Sequence, residues 1–305
     1  MMLSRLRQSL TDLMLIPGLS GHEERVAAHI RAQLAALNIS TKTDRLGNLI
    51  ATFQGDPATP SVMLFTHMDQ LGFFVRQITP DGLIHVERMG GVSERAMAAQ
   101  AVTLCVAPGR DVQGIIMNKA HHATTPDEKY HVLPTPKITI DTGHGSKSAV
   151  EAAGIKIGTP VTYTPRVIPL AGNRIAGTSV DDRAGCAVLL EIAAALISRK
   201  TGPTVHLVWT VQEEFNLRGA QTAAQTLRPD IAIQIDLMLA TDTPDMADRG
   251  EMTLGGGPGI SLYSFHGRGT LNGVIPHPAM VHLFEAAAEQ AKIPLQRSAQ
   301  IGVLT

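Results

Sequence analysis

The 305-residue sequence predicts a mixed α/β fold interrupted by a β-rich insert. At both ends, helical patterns alternate with short, continuously apolar runs, which is how strands covered on both faces read. The stretch from Gly72 to about Pro165 instead carries short β-prone runs punctuated by Gly and Pro. Three of the apolar runs lead directly into acids or histidine, at the strand edge where open α/β sheets collect their ligand-binding groups.

The chain opens with an amphipathic helix that places Leu3, Leu6, Leu10, Leu13 and Met14 on one face and ends at Pro17-Gly18. Ser20, with Glu23 three residues on, reads as a capping box for a second helix whose buried side carries Val26, Ile30, Leu34 and Leu37. A strand over Asn48 to Phe53 follows, then a turn at Gly55-Asp56-Pro57 and the apolar run Ser61 to Phe65. Six short strands are expected in the insert: Phe73 to Ile78, Leu83 to Glu87, Val102 to Val106, Gly114 to Met117, Lys137 to Ile140 and Pro160 to Thr164. The α/β rhythm then returns. It comprises helix Asp182 to Ser198, strand Val205 to Val211, helix Leu217 to Leu227, strand Ile231 to Asp236 and a late helix over Met280 to Lys292. The expected division is therefore a discontinuous domain of residues 1–71 and 165–305, with residues 72–164 inserted.

Composition excludes several classes. Lys plus Arg number 26 against 27 Asp plus Glu, and no basic run stands out, so no nucleic-acid footprint is indicated. The longest apolar stretch, Ala184 to Leu190, is broken by Glu191 and is far too short to span a membrane. Leu13 to Ile16 is too short for a signal core. Cys105 and Cys186 have no CxxC spacing and read as buried thiols of a reducing, cytoplasmic compartment.

His67 and Asp69 sit just past a buried strand, and their spacing of two projects both the same way, so Asp69 can hold the ring nitrogen that faces away from a metal. Alone, this pair also reads as a satisfied polar contact. Asp181 and Asp182 open an apolar helix, where capping is the simple reading. Capping needs one carboxylate, however, and two adjacent ones repel unless a cation offsets them. Glu213 and Glu214 repeat the pattern after the strand ending at Val211, where one can ligate while the other acts as general base. Asp236 closes a third strand. Together these acids and one imidazole have the composition of a site for two divalent cations. Gly255 to Gly259 reads as a turn, since Pro258 removes a donor and no Lys-Ser/Thr follows.

Several motifs in fixed order resemble the M42 family of dinuclear metallo-aminopeptidases. They are His67-Met68-Asp69, Asp181-Asp182-Arg183-Ala184-Gly185-Cys186, Val211-Gln212-Glu213-Glu214 with Leu217-Arg218-Gly219-Ala220, and Asp236 with Asp242-Thr243-Pro244. The match extends upstream to Leu19-Ser20-Gly21-His22-Glu23 and Asp44-Arg45-Leu46-Gly47-Asn48. Within the insert it covers His121-His122 with Thr125 to Glu128, and Gly154 to Gly158.

The resemblance implies a zinc-exopeptidase-like mixed-sheet domain carrying a small β-barrel-like insert for dimerisation, with dimers building towards a hollow dodecamer. It implies two divalent ions per subunit, Zn or Co, with Mn possible. Asp181 would bridge them, His67 and Asp236 would complete one ion, and Glu214 would serve the other. Glu213 would be the general base and Asp69 the support for His67, and a metal-activated water would cleave N-terminal residues from short peptides. The same chemistry suits a small-molecule amide deacylase. The family's last ligand is a late histidine, and His266, His277 and His282 do not stand in its context. The expectation is a Glu214-side ion with fewer protein ligands, weak activity and, as the non-enzymatic alternative, a binding or assembly protein. Phe215-Asn216 also departs from the family pattern, which has a small apolar residue and Gly there.

Overall fold

The computed structural model describes residues 2–265 and 273–301, which fall into two compact units, Met1–Ile235 and Asp236–Thr305. The first unit begins with helices α1 (Met2–Met14) and α2 (Glu24–Ala36) and strands β1 (Thr41–Thr43), β2 (Leu49–Phe53) and β3 (Val62–His67). Strands β4 (Gly72–Ile78), β5 (Ile84–Met89), β6 (Ala101–Leu104), β7 (Val112–Ile116) and β8 (Thr139–Asp141) follow, then α3 (Lys147–Ala152) and β9 (Pro160–Tyr163). The hairpin β10 (Val167–Pro169) and β11 (Ile175–Gly177) leads to α4 (Val180–Leu196), β12 (Val205–Thr210), α5 (Arg218–Leu227) and β13 (Ile231–Gln234). The second unit holds β14 (Gly259–Phe265), β15 (Gly273–Val274), α6 (Pro278–Ala291) and β16 (Gln296–Ile301).

Five strands form a mixed sheet in the order β1-β2-β12-β3-β13. β3 runs parallel to both β12 and β13, whereas β2 is antiparallel to β12. Alternation along the strands covers both faces. Leu49, Ala51, Leu207 and Trp209 join Leu13 of α1, Ile30 and Leu34 of α2 and Leu189 of α4 in one apolar cluster. The intervening Ile50 and Val208 meet Met63 and Ala223 of α5 on the other face. This is why these strands read as continuous apolar runs.

The six expected strands of the insert close into a barrel in the order β4-β5-β8-β7-β6-β9. Its interior is filled by Phe73, Val75, Val86, Val102, Leu104, Ile116, Ile140 and Val161. Both the mixed α/β class and the small barrel expected from the sequence are thus present. The guanidinium of Arg25 on α2 reaches across to the β6–β7 hairpin and pairs with both carboxylate oxygens of Asp111, at 2.5 and 2.9 Å.

Local expectations need correction at several places. Ser20 does not cap α2: the helix begins at Glu24 without a side-chain cap bond, and the Ser20 hydroxyl is buried without a hydrogen-bond partner. Glu23 is instead buried, with its carboxylate turned to backbone amides elsewhere. Leu3 is exposed, so the buried face of α1 is shorter than its periodicity suggests. The short helix α3, capped by Ser146, and the hairpin β10–β11 have too few residues to read in advance.

His121 and His122 lie exposed in a single 3-10 turn. His277 caps α6, its Nδ1 accepting the N–H of Ala279 at 3.2 Å. His266 and Gly302 to Leu304 lie outside the described residues. No helix among the described residues is long and apolar enough to cross a membrane.

Candidate active site

Parallel pairing of β3 with β12 brings their C-terminal ends side by side, with His67 opposite Thr210. His67 is the last residue of β3 and is buried. Its Nε2 lies 3.0 Å from Asp181 Oδ1 and its Nδ1 lies 3.2 Å from the Asp69 carbonyl oxygen and 3.4 Å from Asp69 Oδ1. Burial disfavours a charged ring, but the hydrogen bonds with Asp181 and Asp69 and the charges of Asp69 and Glu213 outweigh it and hold the His67 pKa well above its ordinary value. A ring held between two carboxylates is positioned as a ligand would be, with Asp69 behind it and Nε2 facing the other acids.

Asp181 and Asp182 divide the work that one capping residue would do. Both depart from helical backbone values at the start of α4, and the peptide between them is cis. Asp182 is buried; its Oδ1 accepts the Gly185 N–H at 2.8 Å and its Oδ2 accepts the Thr66 hydroxyl. Any Cβ at Gly185 would lie 2.3 Å from Asp182 Oδ2, so glycine is required for this close approach. Asp182 also offers a ligand atom to a possible metal-holding group with His67, while Asp181 faces His67 with its side chain 56% exposed. Arg183 is fully buried beneath them and donates to the carbonyls of Met68 and Ile16 and to Gln70 Oε1. Burial lowers its pKa, while Asp69, Glu23 and Asp182 work against that shift.

The segment after β12 is held from outside. Four successive backbone N–H groups donate to buried side chains from other elements: Val211 to Asn48 Oδ1 at 3.0 Å, Gln212 to Glu23 Oε1 at 3.0 Å, Glu213 to Asp69 Oδ1 at 2.9 Å and Glu214 to Asp69 Oδ2 at 3.0 Å. Asn48 is fixed in turn by Asp44 Oδ2 at 2.7 Å and the Gly219 carbonyl at 3.0 Å. Within and after this segment the backbone is left-handed at Gln212 (φ 55°), Asn216 (φ 66°) and Leu217 (φ 55°). Side chains other than Gly adopt it at a cost of about 1–2 kcal/mol each.

The turn aims both glutamates at the imidazole. Glu213 Oε2 lies 4.0 Å from His67 Nε2. Burial first, then the charges of Glu213, Asp181 and Asp69, pushes the Glu214 carboxyl up to about 8 despite the opposing effect of His67. Burial with the nearby Asp69 pushes Glu23 up to about 7. Burial would also raise Asp69, but His67 and the two backbone amides hold it below its usual value. Gly90, at the end of β5 in the barrel, closes over this place: a Cβ there would lie 3.2 Å from Glu214 Oε2 and 2.3 Å from Leu71 Cδ2.

The structure therefore brings together His67, Asp69, Asp181, Glu213 and Glu214, all singled out from sequence. Asp236 begins the second unit directly after Ile235, whose N–H donates to the Phe65 carbonyl of β3 at 2.8 Å. An imidazole and several carboxylates are a fitting donor set for borderline divalent cations, and a cation there would offset the repulsion from Glu213, Asp181 and Asp69 that adds to burial in raising Glu214. Sequence reasoning missed the supporting acceptors Glu23, Asn48 and Asp44. Their only signal was membership of the upstream motifs Leu19 to Glu23 and Asp44 to Asn48. The departure at Phe215-Asn216 puts an exposed ring beneath the Arg218 guanidinium, 5.5 Å from the ring centre, and gives the left-handed position to Asn, which tolerates it.

Comparison with known proteins gives a consistent picture. The M42 glutamyl aminopeptidase family model matches residues 47–305. The curated protein named "Putative aminopeptidase SgcX" of Escherichia coli (strain K12) is 38% identical over 301 residues, covering 98% of this chain and 80% of that protein. Among solved structures, the aminopeptidase APDkam598 from the archaeon Desulfurococcus kamchatkensis superposes with a TM-score of 0.90 at 31% identity, covering 99% of this chain and 81% of that one. The TET1 peptidase of Pyrococcus horikoshii, described as assembling into a tetrahedron or a large octahedral shell, superposes with a TM-score of 0.86 at 26% identity over 98% of this chain and 86% of that one.

Proposed function

This chain belongs to the M42 family of glutamyl aminopeptidases, and from that premise we propose that it removes N-terminal residues from short peptides with two divalent ions, Glu213 acting as general base. The observation that carries the reading is the cluster at the end of β3, where Asp181 and Glu213 approach His67 Nε2 at 3.0 and 4.0 Å while Asp69 holds the ring from behind. His67, Asp181 and Asp236 would hold one ion, and Asp181 with Glu214 the other; the metals proposed are Zn or Co, with Mn as the next choice. When bound, the ions supply Lewis acidity to the scissile carbonyl and acidify the attacking water.

The chain's own residues do the rest. Glu213 takes the water's proton on its carboxylate and passes it to the leaving amine nitrogen. Asp69 keeps the His67 ring oriented and, through the N–H groups of Glu213 and Glu214, fixes the direction of both glutamates. A mostly buried Glu213, its side chain 12% exposed, keeps its proton exchange with bulk solvent limited. Residues 72–164 are proposed as the module through which copies associate, from dimer to dodecamer, a reading supported by the assemblies described for the TET1 peptidase. A cytoplasmic setting is supported by the free thiols Cys105 and Cys186.

The test is hydrolysis of a panel of amino-acid p-nitroanilides by the purified chain, beside their N-acetylated counterparts, before and after chelation and reloading with Zn, Co or Mn. The expected result is turnover only of substrates with a free amine, lost on chelation and restored by metal. Equal turnover of the acetylated compounds would favour a deacylase, and activity indifferent to chelation would overturn the metal reading.

A further inference from the structure

We propose that Glu23 is a positioning residue for Glu213, acting through the backbone of Gln212. It rests on the aminopeptidase reading above. Glu23 is 4% exposed, and one of its oxygens, Oε1, accepts both the Gly21 N–H at 2.7 Å and the Gln212 N–H at 3.0 Å. It makes no side-chain cap bond to α2, the helix it precedes. A buried carboxylate that does not cap its own helix is expensive to keep even with the Arg183 charge acting on it, so its contribution lies at the far end of its hydrogen bonds.

That far end is the residue immediately before the base. Gln212 holds φ 55°, the left-handed conformation that a residue other than Gly leaves unless something holds it there. Asn48 secures Val211 on one side, and Asp69 secures Glu213 and Glu214 on the other. Glu23 alone among the named acceptors holds the amide between them. Releasing it lets the peptide before Glu213 rotate, which swings the carboxylate away from the water it must deprotonate. Both bonds use the same oxygen, so an amide oxygen in its place would serve equally, whereas a side chain one methylene shorter would not reach.

The experiment compares Glu23→Ala, Glu23→Asp and Glu23→Gln with the parent protein and with Glu213→Gln. It measures kcat and KM on an amino-acid p-nitroanilide, metal content, and hydrogen exchange of individual amides. The expected result for Glu23→Ala and Glu23→Asp is a kcat about 10–100-fold lower, the scale for losing an outer support, with KM and metal content little changed. Glu23→Gln should retain most of the parent kcat. Gln212 amide protection should fall about tenfold in the Ala and Asp variants while that of Val211 holds.

A merely structural role would lower thermal stability without splitting kcat from KM and without rescue by Gln. The proposal is overturned if Glu23→Ala keeps parental kcat and Gln212 protection, or if Glu23→Gln is as impaired as Glu23→Ala. If the parent does not turn over the substrate, or Glu213→Gln is fully active, the aminopeptidase reading fails separately. The exchange of Gln212 then decides the role of Glu23 by itself.

Discussion

Replacing Asp69 with Asn changes one oxygen into an NH2 group inside a fully buried cluster, and the structure sets the size of the effect. The carboxylate receives the N–H groups of Glu213 and Glu214 at 2.9 and 3.0 Å and faces the His67 ring at 3.4 Å. An amide oxygen can keep one of the two backbone bonds, while its NH2 group meets the other donor head-on. At least one charge-assisted bond is lost, at about 1.5–3 kcal/mol. We therefore expect Asp69→Asn to lower unfolding free energy by about 2–3 kcal/mol at neutral pH, seen as a lower urea midpoint with an unchanged slope.

Two further consequences separate this reasoning from ordinary core damage. The His67 ring loses the partner that orients it, so zinc affinity by calorimetric titration should fall about 10–100-fold. The folded pKa of Asp69 lies below its ordinary value of 3.8. Its stabilising contribution is therefore complete above that ordinary value and is lost as pH falls through the lower folded one. The stability curves of parent and variant should consequently converge in acid. An Asn variant with parental midpoint and zinc affinity would refute the clamp.

Glu213→Gln should leave urea stability and metal content unchanged and lower kcat by about 10²–10⁴-fold, the usual cost of losing a general base; unaltered p-nitroanilide hydrolysis would remove Glu213 from that role. Gly219→Ala should destabilise by about 2–3 kcal/mol in thermal or urea melts, because its Cβ would lie 2.2 Å from the Val211 carbonyl oxygen and 2.5 Å from Asn48 Oδ1. A parental melting curve for that variant would mean that the N-terminus of α5 can retreat from β12 freely.

The parts of the fold that were legible share a physical cause. β3 and β12 are short runs buried from both sides, and that burial is written as uninterrupted apolar sequence. The barrel strands announce themselves through turn residues at short intervals. His67, Asp181, Glu213 and Glu214 stood out because acids at successive strand edges have no apolar explanation. Glu23 was misread, because a glutamate three residues after a serine has the spacing of a capping box whether its carboxylate turns back to the helix or outward to Gln212. The role of Asn48 was hidden for a similar reason: membership of a motif at the start of a strand does not reveal that its amide spans to Val211 and Gly219. The strands of the second unit are polar in part, as in Gln296–Ile301, and so lack the signal that exposed β3.

The turn that carries Glu213 and Glu214 has a kinetic implication. Its four leading amides are satisfied by residues 163, 189, 144 and 145 positions away in the chain. Local backbone bonds, from the Leu217 N–H to the Glu213 carbonyl and from the Arg218 N–H to the Gln212 carbonyl, close the turn, but its four leading amides wait on loop closure over those distances. The turn therefore gains its full set of hydrogen bonds only after the segments around it are in place. A half-folded chain has the sheet's components before these amides find their acceptors. Under the proposed aminopeptidase function, competence would then arrive only with completion.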